Sequence, residues 1–188
     1  MLIGYPNVTR GPGFLGAKAG YLYLTDTGRG PAGLSRPEGI TPERQSRRET
    51  FLRGLQENLP STDDTRLRDY DAAIALSLKL SSPEFTRSFN LEAENAGLRT
   101  RYGGEFGQRC LLARRLVERG VRFVQIYCGA ENTTASKIRQ NWDSHEDLVR
   151  DHGYWGHVLD TGAAALLHDL KARGLLDSTL VICTTEFG

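Results

Sequence analysis

The clearest pattern of apolar and polar positions lies toward the end of the chain. From Val158 to Arg173, apolar residues stand at Val158/Leu159, Gly162/Ala163, Leu166/Leu167 and Leu170. That is the spacing of one buried helix face. Gly174 follows where a left-handed helix terminus is expected. Leu180 to Cys183 is then continuously apolar and partly β-branched, which predicts a strand buried on both faces. Polar residues return at Thr184-Thr185-Glu186. In open parallel sheets, ligands bind beyond the carboxyl ends of the strands, so Glu186 stands where a site residue is expected.

Upstream, Phe106, Cys110, Ala113 and Val117 mark a helix over 105–119 that ends at Gly120. Val121–Cys128 (VRFVQIYC) is rich in β-branched and aromatic residues and reads as a strand. Helix, strand, helix and strand in that order imply parallel strands joined by a right-handed crossover. Thr41-Pro42 has the form of a helix start, Thr at the cap and Pro at the first helical position. The helix it opens, 42–58, turns Phe51, Leu52, Leu55 and Leu59 inward. A second helix, 64–80, points Leu67, Tyr70, Ile74 and Leu78 inward, and Ser82-Pro83 opens a short third. Asn90 to Gly104 reads as irregular or weakly helical. Before residue 40 the chain is rich in Gly and Pro, with Tyr21-Leu22-Tyr23-Leu24 as its strand candidate.

The expected fold is therefore α/β, a three-layer parallel sheet with Val121–Cys128 and Thr179–Thr185 as parallel strands. The expected organisation is one partial domain over 1–188: an irregular segment 1–40, a helical region 41–104 and an α/β core 105–188. A chain that stops at the carboxyl end of its best strand also reads as truncated there.

Composition adds exclusions. Twenty-four Lys and Arg against 23 Asp and Glu give a net charge of +1, which implies no nucleic-acid or membrane-surface partner. No apolar run approaches the length of a membrane span, and Met1-Leu2-Ile3 is not followed by a signal-peptide core. Cys110, Cys128 and Cys183 are too few and too scattered for a disulfide framework, and their apolar surroundings read as buried structural thiols. Arg44, Arg47, Arg48 and Arg53 read as a solvated helix face.

Candidate chemistry gathers in the connection after Cys128. About 26 residues separate it from Trp155, against roughly 2–6 in a typical strand-to-helix loop. That segment holds Trp142, Asp143, His145 and His152, a poor composition for disorder. Asp143 and His145 are two residues apart, so in an extended segment both side chains reach one metal ion. Carboxylate and imidazole suit zinc, manganese or iron, and carboxylates alone suit magnesium or calcium. Asp143, His145 and Glu186 are expected to converge, with His152 as a fourth member. His157 and His168 fall in or beside the helix. Ser144 adjoins His145, but no Gly-x-Ser-x-Gly elbow accompanies it.

These residues resemble a bacterial family of unknown function, number 1501, often labelled sulfatase-like and placed with the alkaline phosphatase and sulfatase superfamily. The resemblance is carried by Gly13-Phe14-Leu15-Gly16-Ala17, Arg101-Tyr102-Gly103 and FGQRCLLARRLVERGVRFVQIY from Phe106 to Tyr127. It continues in Trp142-Asp143-Ser144-His145, DLKARGLLDSTLV from Asp169 to Val181, and Glu186-Phe187-Gly188. It implies an alkaline-phosphatase-like α/β/α sheet and metal-assisted hydrolysis of phosphate or sulfate esters, with zinc, calcium, magnesium or manganese as cofactor. It also implies a small ester substrate and an extracytoplasmic location, periplasmic or secreted. The nucleophile-bearing segment is expected before Met1 and a further Asp-His motif after Gly188, which makes the chain a fragment truncated at both ends. The superfamily's late strand ends in Thr-x-Asp-His-Gly. Here Glu186 stands for the Asp, while Phe187 stands where the His belongs. That departure motivates the alternative, a non-catalytic envelope or carbohydrate-binding protein that kept the fold.

Overall fold

The computed structural model describes residues 2–3, 15, 19–24, 27–28, 30–31, 34, 38–58, 65–129 and 142–185. The chain divides into two compact units. One comprises Met1–Thr9, Leu22–Pro31 and Arg87–Gly188, the other Arg10–Tyr21 and Ala32–Thr86.

In the second unit, α1 spans Pro42–Asn58 and α2 Thr65–Leu80, followed by a single turn, α3, at Pro83–Thr86. Thr41 caps α1 as its sequence predicts, its Oγ1 accepting from the Arg44 amide at 3.2 Å. The side of α1 that packs differs from the expected one. Gln45, Glu49, Leu52 and Gln56 are half-buried. Gln45 donates to Glu49 at 2.9 Å, and Gln56 donates to Asp71 of α2 at 2.8 Å. Phe51 and Leu55 face solvent, 69% and 49% exposed. The Gln56–Asp71 bond links α1 to α2 on the half-buried side, while the Gln45–Glu49 bond lies within α1 itself. Tyr70 of α2 is exposed as well. Leu59 and the Leu67 side chain lie outside the described residues.

The first unit holds a small sheet of two-residue strands, β1 Leu2–Ile3, β2 Tyr23–Leu24 and β3 Gln125–Ile126. Their order is β2-β1-β3, all parallel, with Ile3 opposite both Leu24 and Ile126. Helices α4 (Ala96–Tyr102), α5 (Glu105–Glu118) and α6 (Leu148–Ala172) supply most of the unit. Helix α5 is the centre: ten of its 14 residues are buried. Tyr102, Phe106, Cys110 and Leu111 form a core against which Val158, Leu159 and Leu166 of α6 pack, together with Ile126. The expected faces of α5 and α6 are thus the faces that pack.

Charge is buried in this core too. Arg114 of α5 reaches Glu94 at 3.0 Å, Glu118 at 2.7 Å and Asp169 of α6 at 2.9 Å. Arg115 pairs with Glu94 and donates to the carbonyls of Ser88 and Arg87. Tyr102 donates its hydroxyl to Asp169 at 3.0 Å. Paired in this way, the buried ions avoid much of the cost of isolated charges.

The three-layer α/β expectation is overturned. Helix makes up 65% of the described structure and strand 4%, so the fold is mostly helical. Of Val121–Cys128, the stretch Gln125–Ile126 alone joins the ladder. Thr179–Thr185 forms no strand; Leu180 and Ile182 are 84% and 71% exposed. Cys183 is exposed with them, against its expected burial. A β-branched apolar run shows that a segment fits a pleated surface, but it does not supply a pairing partner. Here the core is closed by α4, α5 and α6 instead.

Candidate functional site

Helix α6 begins at Leu148, about two turns before Trp155 and nearly three before Val158, where its apolar spacing starts. Its cap is Asp147, whose side chain accepts from the Arg150 amide at 2.9 Å. An acidic residue directly before Leu148-Val149 is the sequence signal for this start. Residues 142–147 consequently run straight into the helix rather than along a free loop.

Three contacts hold that run in place. The Trp142 indole donates to the Cys128 carbonyl at 3.1 Å, which ties the segment to the end of the β3 region. Ser144 donates its hydroxyl to Asp151 at 2.8 Å, and Arg150 donates to both oxygens of the same carboxylate at 2.7 and 3.0 Å. Asp151 is completely buried. Its role as anchor is the part of the site that sequence spacing did not disclose. His152 places Nε2 2.8 Å from the Trp142 carbonyl, with its ring 5.6 Å from the indole. A carbonyl accepts only, so that nitrogen carries the proton and Nδ1 is the one left with a lone pair.

On this anchored frame, His145 Nε2 lies 2.5 Å from Asp143 Oδ1, and the two side chains are 71% and 63% exposed. The structure brings the Asp143 and His145 side chains into contact and turns His152 toward Trp142. Glu186 lies outside the described residues, so its expected convergence with the pair does too. His157 and His168 are exposed on α6. The Ser144 hydroxyl serves Asp151 and not His145, which leaves no Ser-His pair here.

The donor set suits part of a metal site. One imidazole and one carboxylate match the preferences of zinc or manganese, but a divalent ion takes four to eight donors. Among the described residues no group of three or more His, Cys, Asp or Glu side chains is placed to hold an ion.

Fold and site define a mostly helical protein with a short parallel sheet and an anchored, solvent-facing Asp–His pair. The chain matches the family described as "Protein of unknown function (DUF1501)" over residues 2–188, and it belongs to that family. No curated protein and no solved structure matches it. Among the described residues no helix is long and apolar enough to cross a membrane.

Proposed function

We propose that the protein acts as a metal-dependent hydrolase of phosphate or sulfate esters in which Asp143 and His145 supply two ligands to a divalent ion. The observation that carries this reading is their 2.5 Å contact in an exposed position. At that distance His145 Nε2 donates its proton to Asp143, and a divalent ion bound there would take that proton's place and spread the two atoms to separate ligand positions. Anchoring through Ser144 and Asp151 limits the ordering cost on binding. Exposure leaves room for an ester and water. Glu186 and the Nδ1 of His152 are the further donors of this proposal, and zinc, manganese, magnesium or calcium is the ion. A bound ion there polarises the ester oxygen. The reading rests on the pair and not on a superfamily sheet.

The test is metal content. After equilibration with each ion and dialysis, mass spectrometry should find bound metal that Asp143→Ala and His145→Ala both lower, with hydrolysis of an aryl phosphate or aryl sulfate falling in parallel. Unchanged metal in both variants removes the reading.

A second reading, a non-catalytic envelope or carbohydrate-binding protein, is favoured by Phe187 at the His position of the superfamily pattern. Polysaccharide retention without ester hydrolysis in the metal-loaded protein would select it.

A further inference from the structure

We infer that a cleft formed by α4, α5, the turns Arg87–Phe89 and Leu91–Ala93, and the segment after β2 binds a neutral, polyhydroxylated ligand, a single sugar ring. Its volume is about 310 Å³, and Thr27, Phe89, Asn90, Glu92, Arg99 and Gln108 are among the residues that line it. All of them belong to the unit that holds α4, α5 and α6. Ligand clefts run from ~300 to ~1,000 Å³, so this one suits one ring and not a drug-sized molecule. It shares no residue with the Asp143–His145 site. The inference gives the carbohydrate-binding reading a location without resting on it.

The chemistry of the lining selects the ligand. Arg99 of α4 pairs with Glu92 at 2.5 Å, so a charged ligand would be attracted by one and repelled by the other. Glu92 is the acceptor that the Arg99 guanidinium meets among the described residues, which leaves it with N–H groups to donate. Gln108 of α5 is oriented by two donations, to the carbonyls of Arg99 and Gly103 at 2.9 Å each. Both amide protons are engaged, so its Oε1 is left to accept. The same bonds tie α4 to α5 and set this wall before a ligand arrives. Asn90 heads the turn Leu91–Ala93 without capping it through its side chain, and its amide offers a donor and an acceptor. Gly30 brings the segment after β2 onto Phe89: its φ is +68°, and a Cβ there would lie 3.3 Å from the Phe89 Cβ. Donors and acceptors gathered in one neutral cleft suit hydroxyl groups, because each hydroxyl donates and accepts at one atom. Phe89 adds apolar lining for the C–H groups of the ring.

The experiment is saturation-transfer NMR on the purified protein with D-glucose, D-galactose, D-mannose and N-acetyl-D-glucosamine, each titrated for affinity with and without EDTA. At least one should bind, in the millimolar range and indifferent to EDTA, which separates the cleft from the ion site. Arg99→Lys keeps the charge beside Glu92 but loses the guanidinium fork. It and Asn90→Ala should each weaken binding of that sugar by about fivefold to tenfold. Both side chains reach solvent, and unchanged circular dichroism checks that the variants fold. Glucuronate and glucosamine, rings that carry a charge, should bind more weakly than the best neutral sugar. Absence of binding by all four sugars overturns the inference. So does affinity indifferent to both substitutions, binding lost in EDTA, or preference for either charged ring. Polysaccharide retained by a protein that binds none of the four would leave the carbohydrate-binding reading standing and remove this cleft from it.

Discussion

The hydroxyl of Ser144 donates to the buried carboxylate of Asp151 at 2.8 Å. The segment bearing Asp143 and His145 is thereby fastened to the first turn of α6. Removing either partner should loosen the segment while leaving α6 intact. Ser144→Ala should cost about 1–2 kcal/mol in urea unfolding, and Asp151→Ala about 1–3 kcal/mol, because Arg150 remains half in water to be resolvated. If the proposed metal site is real, both variants should weaken the ion's affinity by on the order of tenfold, as is usual when the support of a ligand is lost. Full affinity in Asp151→Ala would show that the anchor does not position the pair.

Close approach of α5 and α6 gives a second prediction. A Cβ on Gly162 would sit 2.7 Å from the Phe106 ring and 3.2 Å from the Gly107 Cα. Gly162→Val should therefore cost about 1–3 kcal/mol through overpacking. A Cβ on Gly107 would meet the Tyr102 carbonyl oxygen at 1.6 Å, and backbone cannot yield as a side chain can. Gly107→Ala should lose about 4 kcal/mol or more. Gly156, also on α6, has nothing within 4 Å of its virtual Cβ. Gly156→Ala is the control and should gain about 0.4–1 kcal/mol. Thermal melts of the three variants decide the order.

The buried ion cluster predicts unequal roles for its arginines. The Arg114 side chain is 1% exposed and faces three carboxylates, while that of Arg173 is 37% exposed. Arg114→Met leaves Glu94, Glu118 and Asp169 undercompensated in the interior and should cost about 3–5 kcal/mol. Arg173→Met removes contacts that water screens and should cost about 0–1 kcal/mol. Equal losses in chemical denaturation would contradict the burial-based distinction.

Much of the helical structure was legible in the sequence because local chemistry settles it. Thr41-Pro42 announces α1, and the Phe106, Cys110 and Ala113 spacing announces the packed face of α5. The sheet was not legible for the opposite reason. Leu180–Cys183 has the composition of a buried strand, yet whether it is paired depends on residues far along the chain. Leu2-Ile3 takes the central strand position with no pattern of its own. For α1, spacing grouped Phe51 and Leu55 on one side, but that side is the exposed one, and of the expected residues Leu52 is the one half-buried. At the site, a two-residue separation singled out Asp143 and His145, whose side chains the structure places in contact. The burial of Asp151 was not legible, because a lone Asp in a first helical turn ordinarily faces water.

The same ion cluster sets how stability should depend on pH. Burial pushes the Asp169 carboxyl up, but hydrogen bonds from Arg173 and Tyr102 and the charge of Arg114 outweigh it and hold the group below its usual 3.8. Glu94 is likewise raised by burial and lowered more by Arg114 and Arg115, below its usual 4.5. In both cases the unfolded chain takes up protons that the folded chain still refuses, so stability rises with pH through that window. Their contribution is present above the unfolded values and is lost as pH falls below 4.5 and then 3.8 toward the folded values. Tyr102 works in the other direction. Burial first, then the neighbouring Asp169 charge, push its phenol well above the usual 10.0, so stability should fall again once the medium passes that value. Urea midpoints measured across pH should show both limbs. Glu94→Gln with Asp169→Asn should flatten the acid limb, and Tyr102→Phe the alkaline one. An acid limb as steep in the double variant as in the parent would place the responsible carboxylates elsewhere.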